Sequence, residues 1–146
     1  TGITQSMQKL FLFILSVLFL AGCSPVEGVR RMAGTSIEAL REEEKGRFAV
    51  EINQGFDAAF AAVRDLLEAN GIDIYLEDRD DRYLVGMYFT VIFPRCLDTT
   101  EVGFFFKDKT EDSSIVDVVS RNRSLAKFVS GWLDAQLKNP VPSASP

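Results

Sequence analysis

The amino-acid sequence predicts an α+β domain: a two-layer sandwich in which an antiparallel sheet of four to five strands carries two helices on one face. Three observations lead to this prediction. Five segments alternate apolar and polar residues, as strands with one buried face do, and two longer segments repeat apolar residues at helical spacing. Short polar turns join the later strands, which is how antiparallel neighbours are connected. Two amphipathic helices can cover one sheet face, so the expected order is β-α-β-β-β-β-α.

The first strand is predicted from the alternation of Phe48, Val50 and Ile52 with less apolar residues. The segment "GFDAAFAAVRDLLEANG" then has its large apolar residues at helical spacing, namely Phe56, Phe60, Val63 and Leu67. Its alanines favour helix, and Asn70-Gly71 is a typical helix end. A strand followed by an amphipathic helix is therefore expected.

The next two strands are expected to form a hairpin. Ile72, Ile74 and Leu76 alternate in the first of them. The second strand has its alternating apolar residues at Tyr83, Val85, Met87 and Phe89. The polar turn between them is placed near Asp78–Asp81. A loop over Pro94–Thr99 follows.

A second strand pair and a helix close the predicted domain. Val102, Phe104 and Phe106 indicate a fourth strand, and Phe105 adds a ring on its opposite face. The fifth strand is placed at Ile115–Val119. Ser124 is the expected N-cap of the final helix. The helix is predicted from its broad apolar stripe: Leu125, Phe128, Val129, Trp132, Leu133 and Leu137.

Residues 7–23 have the pattern of a secretory leader. Met7-Gln8-Lys9 is short and cationic, and Leu10–Leu20 is an apolar run broken only by Ser16. From Leu10 to Ala21 the run would be roughly 18 Å long as a helix, which is short for a bilayer core of about 30 Å. That length is typical of a signal-peptide h-region. A short anchor or a buried helix is the alternative.

The leader ends in Leu20-Ala21-Gly22-Cys23, which resembles the lipobox of bacterial lipoproteins. The resemblance implies cleavage between Gly22 and Cys23 and acylation of Cys23, so that membrane lipid becomes a partner. Ser24, rather than Asp, follows the cysteine. In that family this implies the outer membrane, with the protein facing the periplasm.

The expected organisation is a signal peptide over 1–22, a lipidated tether over 23–46, an α+β domain over 47–139 and a disordered tail over 140–146. Residues 1–6 are expected to precede the native start at Met7. Thr35 and Glu38 have capping-box spacing, so a short helix is expected in the tether. Cys96 is expected to be a small, partly buried residue without an intramolecular partner, and an intermolecular disulfide is the alternative.

A candidate partner-binding face follows from strand parity. Tyr75, Leu84, Tyr88 and Phe105 fall opposite the residues assigned to the core. Exposed apolar patches of this kind often mark binding surfaces. The alternative is that the helix beginning near Thr35, or a second chain, covers them.

The composition restricts the possible chemistry. The chain has no histidine and a formal charge of −5, which excludes catalytic sites built on histidine and disfavours a nucleic-acid partner. No cofactor or metal is expected. A carboxylate-dependent glycan hydrolase remains an alternative, with Glu77, Asp78, Asp80 and Asp81 as its candidates. These residues are also typical of a solvated turn, and a Ca²⁺ site would lack the spacing of an EF-hand loop.

A third possibility is a lipid or small ligand bound between helices and sheet. Such a groove would be lined by Phe56, Phe60, Phe128 and Trp132. The alternative is that these rings are simply core.

The segment "FDAAFAAVRDLLEANGIDIYLEDRDDRYLVGMYF" is similar to the repeat unit of BamC-type lipoproteins, which are accessory subunits of the machinery that inserts outer-membrane β-barrels. The matching pieces are the helix 56–67, the strand 72–76, the "DRD" turn and the strand 83–89. The resemblance covers roughly 48–137, and Asp81-Arg82 replaces the glycine of the family's turn. It implies the α+β fold and an envelope-protein partner. A lipid-anchored, non-catalytic scaffolding module is therefore the expected function.

Intact-mass and peptide mass spectrometry of the protein isolated from its native membrane tests the lipobox. We expect the chain to begin at Cys23 and to carry acyl groups there, because the signal peptidase acts on the acylated cysteine. A retained leader or an unmodified Cys23 thiol would contradict the predicted location.

Overall fold

A computed structural model of the protein describes residues 37–139. The predicted leader over 1–22, the lipidation site Cys23, the first part of the predicted tether and the predicted tail over 140–146 lie outside these residues.

The described chain forms a five-stranded antiparallel sheet with the strand order β1-β5-β4-β3-β2. This architecture confirms the predicted α+β class. In chain order the elements are α1 (Ile37–Glu42), β1 (Arg47–Ile52), α2 (Phe56–Ala69), β2 (Asp73–Asp78), β3 (Tyr83–Met87), a 3-10 turn (Phe89–Val91), β4 (Val102–Thr110), β5 (Ser113–Val119) and α3 (Arg123–Lys138).

The main core lies between one face of the sheet and helices α2 and α3. The two helices bury their apolar stripes there: Phe60, Val63 and Leu67 from α2, and Leu125, Val129 and Leu133 from α3. The sheet contributes Phe104, Phe106, Val116 and Val118. The Phe60 and Phe106 ring centroids are 5.1 Å apart. Burial of these side chains is the main source of stability for the fold.

A second, smaller apolar cluster lies on the opposite face of the sheet, and α1 covers it. Leu40 of α1 is buried there with Val85, Phe105 and Val119. Gly103 makes this packing possible, because an added Cβ would lie 2.8 Å from Phe105 Cε2 and 3.5 Å from Leu40 Cδ1. The rings of β4 therefore point to both faces, as "FFF" predicts.

The segment after α1 is fastened to the sheet at two places. The Arg47 guanidinium donates to the carbonyls of Arg41 and Glu43 and to the Asp117 carboxylate, at 2.8 Å for the last. The Ser120 N–H donates to the Gly46 carbonyl at 3.0 Å. An added Cβ at Gly46 would lie 1.8 Å from the Ser120 carbonyl oxygen, so the two backbones approach as closely as glycine allows.

Because α1 packs on the sheet, the compact unit begins at Ile37 rather than at residue 47. The short helix expected within the tether thus belongs to the domain.

Two irregularities in β2 and β3 differ from the predicted alternation. The register between β2 and β3 shifts between Ile74 and Leu76, so these residues lie on opposite faces of the sheet. Such a bulge inserts one extra residue, here Tyr75, and reverses the parity beyond it. Strand β3 ends at Met87 because Tyr88 has φ of +65°, and the buried Phe89 belongs to the 3-10 turn instead.

The cap of the last helix also differs from the prediction. Asn122, not Ser124, is the N-cap of α3, and its side-chain oxygen accepts from the Leu125 N–H at 3.1 Å. Both residue types are good caps, so the sequence alone does not choose between them.

Replacing the buried Leu40 by alanine tests whether α1 is part of the folded unit. We expect Leu40→Ala to lower the free energy of unfolding by roughly 2 to 4 kcal/mol, because the side chain fills the second cluster. Leu97→Ala is the matched control: Leu97 is 73% exposed, so its loss should change stability by less than about 0.5 kcal/mol. Urea titration measures both, and equal effects would contradict the packing of α1.

Candidate functional site

The four residues predicted to form a binding face do not lie together. Leu84 is completely buried in the main core beneath the helices, where it pairs with Phe104. Its assignment to the outer face was wrong, because Tyr83 and Val85 are the β3 residues that point there. Phe105 and Tyr75 do lie on the outer face, packed in the cluster that α1 covers. The short helix α1 therefore covers this face of the sheet, which is the alternative to an exposed patch. Thr35, from which that helix was predicted to begin, lies outside the described residues.

A buried carboxylate lies beside that cluster. Asp117 is only 5% exposed, and its Oδ2 accepts from Arg47 Nη1 at 2.8 Å and from Lys107 Nζ at 2.6 Å. A carboxylate in this position is tolerated only when it is paired. The sequence analysis did not predict this buried carboxylate. One feature of the sequence indicates it: an aspartate lies inside the apolar run "SIVDVVS", on the strand face opposite Val116 and Val118.

A cleft of about 780 Å³ opens next to this ion-pair group, and we call it the sheet-face cleft. One wall is α1 and the turn after it, and the other is the β2–β3 turn. Phe105 and Lys107 lie between the walls. The charged lining is mixed, with four cationic and four acidic side chains: Arg41, Arg47, Arg82, Lys107, Glu42, Glu44, Asp80 and Asp81. The cleft can therefore bind a ligand that carries charges of both signs.

Cations in and around the cleft pack against aromatic rings. The Arg41 guanidinium carbon lies 5.6 Å from the ring centroids of both Tyr83 and Phe105. Arg82 lies 4.5 Å from the ring centroid of Phe56 and pairs with Asp108. Such contacts hold the guanidinium groups in place. The walls of the cleft are thus ordered by side-chain contacts as well as by backbone.

The acidic residues of the β2–β3 turn have separate structural roles. The Asp78 carboxylate accepts from the Asp81 N–H at 2.9 Å, which closes the turn. Arg82, which follows these acids, adopts the left-handed backbone conformation, with φ of +58°. Asp80 and Asp81 line the cleft, whereas Glu77 is paired opposite Leu84 and thus lies on the other sheet face. Within residues 37–139 no group of three or more acidic or thiol side chains is placed to hold a metal ion.

The four rings predicted to line a ligand groove belong to two different environments. Phe60 is buried in the main core, and Phe56 packs edge-on against Phe60 and Phe106. Phe128 and Trp132 instead line a groove of about 620 Å³ on the outer side of α3, together with Phe93 of the β3–β4 loop. The Phe93 and Phe128 ring centroids are 4.9 Å apart. An apolar groove exists, but it does not lie between helices and sheet.

Cys96, in the β3–β4 loop, is buried against the main core, as the sequence predicts. Burial raises the pKa of its thiol above the usual value of 9.0. The neutral thiol is the less nucleophilic form, so Cys96 behaves as a small apolar residue.

The N-terminal sequence has a known counterpart. A family model described as the prokaryotic membrane lipoprotein lipid attachment site matches residues 7–24. The match begins at Met7 and includes the lipobox, so it indicates a prokaryotic lipoprotein that is attached to lipid through Cys23. No curated protein matches the chain. Among the helices within residues 37–139, none has both the length and the apolar content needed to cross a bilayer.

Proposed function

We propose that this protein is a lipid-anchored, non-catalytic binding module that faces the periplasm from the outer membrane and assists envelope assembly. The sheet-face cleft, with charges of both signs on its walls, is the observation that carries the proposal. The lipid attachment site supports the location, and Ser24 after the modified cysteine favours the outer membrane.

The cleft suits a segment of another protein. Three of its acidic side chains, Glu42, Glu44 and Asp80, are exposed and form no ion pair within residues 37–139. They are available to lysine or arginine side chains of a partner. The exposed Arg41 side chain, held against the Phe105 ring, offers a contact to an aromatic side chain at the same site. A polypeptide carries these groups at suitable spacing.

A lipid anchor makes such a site effective even when its affinity is low. Exposed ion pairs contribute at most about 1 kcal/mol each. Confinement to the same membrane as the partner raises the effective concentration of both. Weak contacts in an open cleft are then sufficient. The resemblance to BamC-type lipoproteins favours a component of the barrel-assembly machinery as the partner.

Binding fits the cleft better than glycan hydrolysis does. A glycosidase needs two carboxylates about 5 to 9.5 Å apart on either side of the scissile bond. Of the predicted candidates, Asp78 is used in the turn, Glu77 lies on the other face, and Asp80 and Asp81 are neighbours on one wall. The arginine and lysine side chains that lie among the acids of the cleft are suited to binding a polypeptide with charges of both signs.

Site-specific photo-crosslinking in cells with the acylated protein tests this proposal. We expect a crosslinker at Glu42 or Asp80, one on each wall of the cleft, to capture a barrel-assembly component. Glu68, an exposed residue of α2, is the control position and should not give that product. The same products from all three positions, or none from the cleft, would contradict the proposal. Glycan hydrolysis that is abolished by Asp80→Asn would instead identify an enzyme.

A further inference from the structure

The exposed large apolar side chains are concentrated in one region. Within residues 37–139 they are Tyr88 at 45%, Val91 at 58%, Leu97 at 73% and Phe128 at 38% exposure. Three of them lie in the β3–β4 loop. The fourth, on α3, contacts this loop through Phe93. We call these four residues the apolar patch; the groove beside it contains Trp132.

The loop that carries the patch is well supported. The Tyr88 N–H donates to the Asp98 carbonyl at 2.9 Å, and Thr90 Oγ1 donates to Asp98 Oδ1 at 2.6 Å. Phe89 and Cys96 are buried in the main core beneath it. The same backbone thus buries two of its side chains and holds Val91 and Leu97 in solvent. This arrangement is typical of a binding surface rather than of a frayed loop.

The two chain segments that carry the patch are cationic, although the whole chain has a net charge of −5. Residues 88–98 and 121–132 contain four cationic side chains and one acidic side chain. Arg95, Arg123 and Lys127 form no ion pair within the described part of the chain. The single acid, Asp98, accepts from Thr90. An apolar centre with a cationic border is complementary to an anionic lipid surface.

We infer that the apolar patch lies on the bilayer that holds the lipid anchor. Val91 and Leu97 enter the boundary between headgroups and acyl chains. Arg95, Arg123 and Lys127 pair with anionic headgroups. Tyr88 and Trp132 lie at the interface, which suits rings that have one polar atom.

The attachment site permits this contact. Thirteen residues, 24–36, separate Cys23 from Ile37, and a chain of that length spans at most about 50 Å. A domain of this size has a radius of gyration of about 13 Å. The chain is therefore long enough for the patch to reach the membrane.

The inferred contact would also orient the domain. The patch lies at the end of β3 marked by Met87, and the turn wall of the sheet-face cleft lies at the other end, beyond Tyr83. With the patch on the bilayer, the Asp80–Arg82 turn points away from the lipid. The inference itself does not need a partner in the cleft, so failure of the crosslinking experiment would leave it standing.

Fluorescence quenching tests the inference directly, because Trp132 is the only tryptophan. The acylated full-length mature protein is reconstituted into vesicles of phosphatidylcholine alone or of equal parts phosphatidylcholine and phosphatidylglycerol. Both contain lipids brominated on the acyl chain. We expect strong quenching of Trp132 in the anionic vesicles and weak quenching in the neutral ones.

Two variants and one control refine the test. Lys127→Gln should lower the ratio of docked to undocked protein about fivefold, the effect of losing one cation near an anionic surface. Leu97→Ser should also reduce quenching, and because Leu97 is 73% exposed the variant is expected to fold like the wild type. Lys109→Gln removes a cation at the far end of β4, where it pairs with exposed Glu51, and should leave quenching unchanged.

Four results would overturn the inference. The first is equal quenching in both vesicles, and the second is equal effects of Lys127→Gln and Lys109→Gln. The third is a dimer in sedimentation experiments that Leu97→Ser dissociates, which would make the patch an interface between copies. The fourth is a free lipid that copurifies in the groove and by itself shields Trp132.

Discussion

The Arg47 guanidinium joins the buried Asp117 carboxylate to the carbonyl groups that follow α1, and the second face of the sheet depends on this connection. Phe105 and Val85 are apolar residues on a face that α2 and α3 do not reach. Arg47 holds α1 against the sheet, so that Leu40 covers these two apolar side chains. A buried carboxylate that loses its partner costs about 3 to 5 kcal/mol, so strand β5 can carry Asp117 only because this cation and Lys107 are present.

Coverage of both faces leaves two surfaces for recognition, and the turn wall of the first lies at the opposite end of β3 from the second. One is the sheet-face cleft, where exposed acids and stacked arginines suit a charged polypeptide. The other is the apolar patch with its cationic border. A lipoprotein attachment site precedes the domain in the sequence, so both surfaces lie close to a membrane. The inferred lipid contact and the proposed protein contact therefore use different surfaces of the domain.

Much of the fold was predictable from the sequence, because alternation and helical spacing report burial directly. The three rings of "FFF" point to both faces, and α2 buries the stripe that its spacing predicts. The candidate site was harder to predict. A single bulge at Tyr75 and the left-handed Tyr88 change strand parity without a clear sequence signal, and Leu84 was consequently misplaced. The pair of Arg47 and Asp117 joins residues 70 positions apart, which only the tertiary structure can reveal.

Arg47 and Leu40 stabilise the second face of the sheet through the same helix, and a double-mutant cycle distinguishes this coupling from two independent contributions. Unfolding free energies are measured for the wild type, Arg47→Ala, Leu40→Ala and the double variant. If Arg47 holds α1 on the sheet, truncating Leu40 costs little once Arg47 is gone, so the double loss falls short of the sum by about 0.5 to 3 kcal/mol. Any local penalty at Asp117 occurs in both backgrounds and cancels. Losses that add within about 0.3 kcal/mol would show instead that Arg47 and Leu40 act independently.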